Sequence, residues 1–131
     1  METSPLPIIV LASRDSQLVY LIQRYADNCG CQLFQTDGGV STIGTTTNRR
    51  PDVIFLDVSR TNPEGRLALL QLKSQPEMRF IPVILCATSE MDWQGCEAEG
   101  RLLQPILFND FVNAIAETGI QIPRQTKEVP D

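Results

Sequence analysis

Three short apolar runs constrain this chain more than anything else in it: Pro7-Ile8-Ile9-Val10-Leu11-Ala12, Asp52-Val53-Ile54-Phe55-Leu56-Asp57 and Ile81-Pro82-Val83-Ile84-Leu85-Cys86-Ala87. Each is nearly continuous and rich in β-branched residues, without polar alternation. A strand reads this way when both faces of its sheet are covered, and such sheets are parallel. Cys31 to Gln35 and Arg101 to Leu103 are weaker runs that predict two more strands. Helical patterns lie between them. Leu18, Leu21, Ile22 and Tyr25 share one helix face, with Asp15 or Ser16 to cap its start and Gly30 to follow its end. Leu67, Leu69, Leu70 and Leu72 mark a helix that stops before Pro76. Phe108, Phe111, Val112 and Ile115 mark a last one before Gly119. Gly38-Gly39 and Thr45-Thr46-Thr47 lack the Gly-Lys-Ser/Thr ending of a phosphate loop, and a weak second helix with a polar loop is expected there.

Alternation of strands and helices predicts a doubly wound α/β domain with its functional crevice at the carboxyl ends of the strands. A chain of 131 residues is enough for one such core. The expected division is a domain over 1–119 and a flexible tail over 120–131.

Composition removes several functions. The net charge is −5, which disfavours direct contact with a nucleic-acid backbone. No run approaches the ~20 apolar residues of a membrane span, and the first residues do not form a signal peptide, so a cytoplasmic protein is expected. Histidine is absent, which excludes Ser-His-Asp or Cys-His catalysis and a phosphohistidine relay on this chain. Cys29, Cys31, Cys86 and Cys96 have no metal-ligand spacing; no metal site and no disulfide are expected, and Cys86 reads as a small core residue.

The segment from Pro51 to Asp57 resembles the third strand of CheY-like response-regulator receiver domains, which ends in the phosphoacceptor aspartate. Glu64-Gly65 stands where receivers commonly have Asp-Gly. Leu72 to Ile84 resembles the passage from the third helix into the fourth strand, and Leu103-Gln104-Pro105-Ile106 resembles the Lys-Pro motif. The resemblance covers roughly residues 7 to 118. It implies a flavodoxin-like five-stranded parallel sheet in the order 2-1-3-4-5, with Asp57 as the phosphoacceptor position.

The departures from that pattern imply an eroded pocket. Ala12 and Ser13 replace the acidic pair that holds Mg²⁺. Ala87 replaces the hydroxyl that contacts the phosphoryl group, and Thr88 is offset by one and faces the other way. Gln104 replaces the lysine, and Arg101 replaces the aromatic switch residue. The stretch from Ala87 to Gln104 is short, so the fourth helix is expected to be short or absent. Each missing carboxylate removes roughly 4 kcal/mol of ion pairing at an effective dielectric of 20, so Mg²⁺ binding is expected to be weak or absent, with no other cofactor.

The expected function is a degenerate receiver that docks a protein partner or itself, and not an enzyme. The alternative is a stand-alone two-component response regulator phosphorylated at Asp57; a flavodoxin-like cofactor enzyme ranks last. Asp57 reads either as a water-exposed carboxylate kept at a strand end or as a working acceptor. Arg101 reads as a solvated charge or an interface anchor. Trp93 reads as packed on the sheet or exposed in an interface, and Phe108 is a further interface candidate.

Overall fold

A computed structural model describes residues 6–39 and 41–123. The elements run β1 Ile8–Ala12, α1 Ser16–Cys29, β2 Gln32–Thr36, α2 Ser41–Arg49, β3 Val53–Asp57, α3 Gly65–Ser74, β4 Val83–Ala87, a 3₁₀ turn Glu90–Trp93, β5 Gly100–Leu103 and α4 Phe108–Glu117. The strands form one sheet in the order β2-β1-β3-β4-β5, and every neighbouring pair is parallel. This is the order the resemblance implies.

Side chains alternate across a strand, so each apolar run feeds two cores. Ile9, Leu11, Val53, Phe55, Ile84 and Cys86 face one side, against α1 and α4. Val10, Ala12, Ile54, Leu56, Val83, Leu85 and Ala87 face the other, against α3 and the β4–β5 connection. Asp15 caps α1 by accepting from the N–H groups of Gln17 and Leu18, and Gly30 closes it with φ 75°, in the left-handed region that glycine tolerates.

The β4–β5 connection has one four-residue 3₁₀ turn where a fourth helix would stand. A loop without helical hydrogen bonds must pair its carbonyls elsewhere. Two arginines do this. Arg66 donates to the carbonyls of Asp92 (2.6 Å) and Gln94 (2.5 Å), and Arg101 donates to that of Cys96 (2.7 Å).

Ile120 and Ile122 follow α4 and pack against the first core, so packed chain continues past the expected boundary at 119. The rest of the expected tail, 124–131, and residues 1–5 lie outside the described residues. Among the described residues no helix is long and apolar enough to cross a membrane.

Candidate functional site

The register of the sheet builds the site. Ala12 pairs with Leu56, which brings the next residues, Ser13 and Asp57, side by side at the carboxyl ends of β1 and β3. Ser13 Oγ donates to Asp57 Oδ2 at 2.7 Å. The same hydroxyl accepts from the Asp15 N–H at 3.1 Å, so its direction is fixed from both sides. The other carboxylate oxygen, Asp57 Oδ1, accepts from the Ser59 N–H at 2.9 Å and from Ser59 Oγ at 2.5 Å. Bonds from hydroxyl and amide donors to a carboxylate are the strong, charge-assisted kind. They hold an acid that is only 1% exposed.

Asn62 ties the loop beneath. Its Nδ2 donates to the Asp57 carbonyl at 2.6 Å and the Gly38 carbonyl at 3.3 Å. Gly65 begins α3 so close to β3 that a Cβ there would lie 2.2 Å from the Asp57 carbonyl oxygen, so a larger residue would push the helix off the strand.

Asp57 is therefore not the water-exposed carboxylate that one sequence reading expected. The acid is the last residue of β3, and three donors from its own chain bond it. Sequence reasoning counted Ser13 only as a lost acid and missed that its hydroxyl would turn to Asp57. Ser59 and Asn62 were missed outright. Their signal was the run of short hydrogen-bonding side chains from Asp57 through Ser59 to Asn62, the residues that bond back to nearby backbone in turns.

The other expected pocket positions fall into place differently. Ala12 and Ala87 are fully buried in the second core and present no polar atom to the crevice. Gln104 donates its backbone N–H to the Ala87 carbonyl at 2.8 Å, and its Nε2 is buried without a hydrogen-bond partner among the described residues. Thr88 is exposed and donates from N and Oγ1 to Asp92 Oδ2, in the cap of the 3₁₀ turn. Arg101 is exposed at its β5 position and also ties the loop through its bond to the Cys96 carbonyl.

Trp93 packs, half-buried, against the second core. The interface reading of Phe108 is overturned. Its ring is 7% exposed and meets Tyr25 edge-on at 5.3 Å, because the first turn of α4 points into the first core. All four cysteines are buried, and none of them forms a disulfide. The Cys86 thiol is pushed well above its ordinary value by burial and then by the charge of Asp57.

The acids nearest the crevice are committed elsewhere. Asp15 caps α1. Asp37 accepts from Ser41 Oγ and the Gly39 N–H, and those bonds lower its pKa. Glu64 pairs with Arg14 at 3.3 Å. Among the described residues no group of three or more Asp, Glu, Cys or His side chains could hold a metal. Mg²⁺ requires several hard oxygens in near-octahedral array. One buried carboxylate, hydrogen-bonded on both oxygens and beside an apolar Ala12, offers such an ion no second acid.

No protein-family model matches the chain. The polar-differentiation response regulator DivK of Brucella anthropi is 26% identical over 118 residues, covering 84% of this chain and 94% of that protein. Among solved structures, the bacteriophytochrome response regulator RtBRR superposes with a TM-score of 0.75 at 24% identity, over 89% of this chain and 80% of that one. The receiver domain of a Pseudomonas aeruginosa sensor histidine kinase, solved with magnesium coordinated in its active-site cleft, gives a TM-score of 0.79 at 17% identity. That match covers 88% of this chain and 100% of that one.

Proposed function

We propose that this chain, which has the receiver-type, CheY-like fold, acts in signalling as a protein–protein interaction module and does not undergo the Mg²⁺-dependent phosphorylation usual for that fold at Asp57. One observation carries the reading. Both oxygens of Asp57 are occupied by donors of the chain itself, Ser13 Oγ on one side and Ser59 N–H and Oγ on the other. A metal or a phosphoryl group would have to share a buried carboxylate with these charge-assisted bonds, without a second acid to hold the ion. The uncharged Gln104 then offers no cation to the product.

The consequence is a fixed surface in place of a switched one. A receiver that changes partner on phosphorylation needs two states of its crevice; here the hydroxyls of Ser13 and Ser59 favour one. The partner is a signalling protein or a second copy of the chain.

The test is a titration with Mg²⁺ and beryllofluoride, an analogue of the phosphoryl group, read by fluorescence of the single Trp93. No saturable change at millimolar Mg²⁺ is expected. A saturable change that disappears in Asp57→Ala would overturn the proposal in favour of a phosphorylated stand-alone regulator.

A further inference from the structure

Strand β2 is an edge of the sheet, so the sheet pairs only one of its sides. The Gln32 N–H donates to the Pro7 carbonyl and the Thr36 carbonyl accepts from the Ser13 N–H, both toward β1. Backbone groups of alternate residues in a strand point to opposite edges. Those of Leu33 and Gln35 therefore face outward. An open edge is a template for another strand and is usually blunted by charge, proline, a bulge or cover. Gln32–Thr36 contains no charged residue and no proline.

Beside this edge stands a positioned cation. The Arg49 guanidinium lies 4.1 Å over the centre of the Phe34 ring, within cation–π range. Both side chains line a cavity of about 300 Å³ with Gln35, Thr45 and Asn48. Thr45, Asn48 and Arg49 are spaced i, i+3 and i+4, on one face of α2. Arg49 has no ion pair and no hydrogen bond with any described residue. A cation in the last turn of a helix needs no ligand. That role does not require a guanidinium stacked on a ring, inside a cavity, next to an open strand. A stacked guanidinium keeps its fork of N–H donors in the ring plane, free for a carboxylate.

We infer that the edge of β2 takes an extended acidic segment of a partner protein, whose backbone pairs with Leu33 and Gln35 and whose carboxylate bonds Arg49. Paired residues of neighbouring strands project to one face. Phe34 pairs with Val10, on the side of the second core, and a residue opposite Phe34 on the added strand projects to that same side, where Arg49 stands. Main-chain bonds then supply affinity and the one carboxylate supplies selectivity. The inference rests on the reading of the chain as an interaction module and names the chemistry of its partner.

The probe is the peptide acetyl-Thr-Val-Glu-Val-Thr-amide, titrated into the protein and followed by NMR of backbone amides and arginine side chains. Saturable shifts are expected at Leu33, Gln35 and Arg49. Binding should be roughly tenfold weaker for the peptide with Gln in place of Glu, the size of a lost charged hydrogen bond. Arg49→Gln should weaken it as much, and Arg49→Lys should recover only part. Equal binding of the two peptides overturns the inference, as does no saturable shift at millimolar peptide. Acetate that shifts Arg49 as strongly as the peptide does would make this a small-anion site only. Slow amide exchange at Leu33 and Gln35 in the free protein also overturns it: a second copy covers the edge if dilution removes the protection, and the chain's own segment if it does not. The two peptides are compared on the wild-type chain, so the result holds whether or not a variant folds. Asp57 takes no part, so these outcomes leave the beryllofluoride titration to decide the phosphorylation reading separately.

Discussion

The two faces of the sheet are covered by different means. On the first face, α1 and α4 lay down a continuous apolar surface: Leu18, Ile22, Tyr25, Phe111 and Ile115 are all buried to within 2%. Phe111 stacks on Phe55 at 5.3 Å and meets Tyr25 at 5.5 Å. Tyr25 keeps its hydroxyl satisfied by donating to the Ile106 carbonyl at 2.8 Å. On the second face, α2 buries mainly Thr42 and Thr46, and Thr46 Oγ1 has no partner among the described residues. Over β4 and β5 the cover is a loop, pinned by Arg66 and Arg101. The first face is held by burial and the second in part by polar ties. Burial is non-directional and scales with area, whereas a tie to one carbonyl holds a loop in one place and is worth little elsewhere.

The sharpest break of this contrast is Phe111→Ala. The residue is fully buried between two rings, so truncation should cost about 3–5 kcal/mol. Urea denaturation should show the loss as a lower midpoint with an unchanged slope. A loss below about 1 kcal/mol would mean that the aromatic cluster repacks and that the first face is no more tightly built than the second.

A smaller effect is expected from Arg66→Met, which keeps the stem and removes the two bonds to Asp92 and Gln94. Their carbonyls stay near water, so the global cost should be about 1 kcal/mol, the net worth of an ordinary hydrogen bond or two. The local effect should be larger. Hydrogen exchange over residues 90–97 should speed up, and Trp93 emission should move to the red as the loop lifts. Unchanged exchange with an unchanged midpoint would show that the packing of Trp93, Cys96 and Ala98 alone holds the loop.

The same contrast explains what could be read from sequence. The first face follows in outline from periodicity: Leu18, Leu21, Ile22 and Tyr25, then Phe108, Phe111, Val112 and Ile115, form two apolar helix faces that need the continuous apolar strands to cover them. Strand order came from the resemblance, since nothing in periodicity says which parallel strand is at the edge. The short β4–β5 connection was legible as a missing helix. The role of Arg101 was not, because a side chain that bonds a backbone carbonyl leaves no trace in residue type. Phe108 was misjudged because a ring at the start of a helix can point either way, and only the position of Tyr25 decides it. At the site, Asp57 was legible from its place at a strand end. The hydroxyls that hold it depend on register, which sets Ser13 beside Asp57, and on a turn that folds Ser59 back.

The mildest test concerns a tie on the second face that joins α3 to the start of β4 and β5. Glu99 accepts from the Val83 N–H at 2.7 Å and from Lys73 Nζ at 2.9 and 3.1 Å. Burial alone would raise its pKa, but the bonds from Val83 and Lys73 outweigh that and hold the carboxyl below its ordinary value. A group depressed in the folded state stabilises above its unfolded pKa, about 4.3 for glutamate, and loses that contribution as pH falls through the folded value. Glu99→Gln should therefore lower the urea midpoint at neutral pH and converge with wild type as acid takes the pH below the lowered folded value. The carboxylate is 46% exposed and so partly screened, which limits the difference to about 0.2–1 kcal/mol. Added salt should shrink it further. No difference at neutral pH would assign the tie to the hydrogen bond from the Val83 N–H, which a glutamine oxygen still accepts, and the charge on Lys73 would then contribute nothing to holding this face.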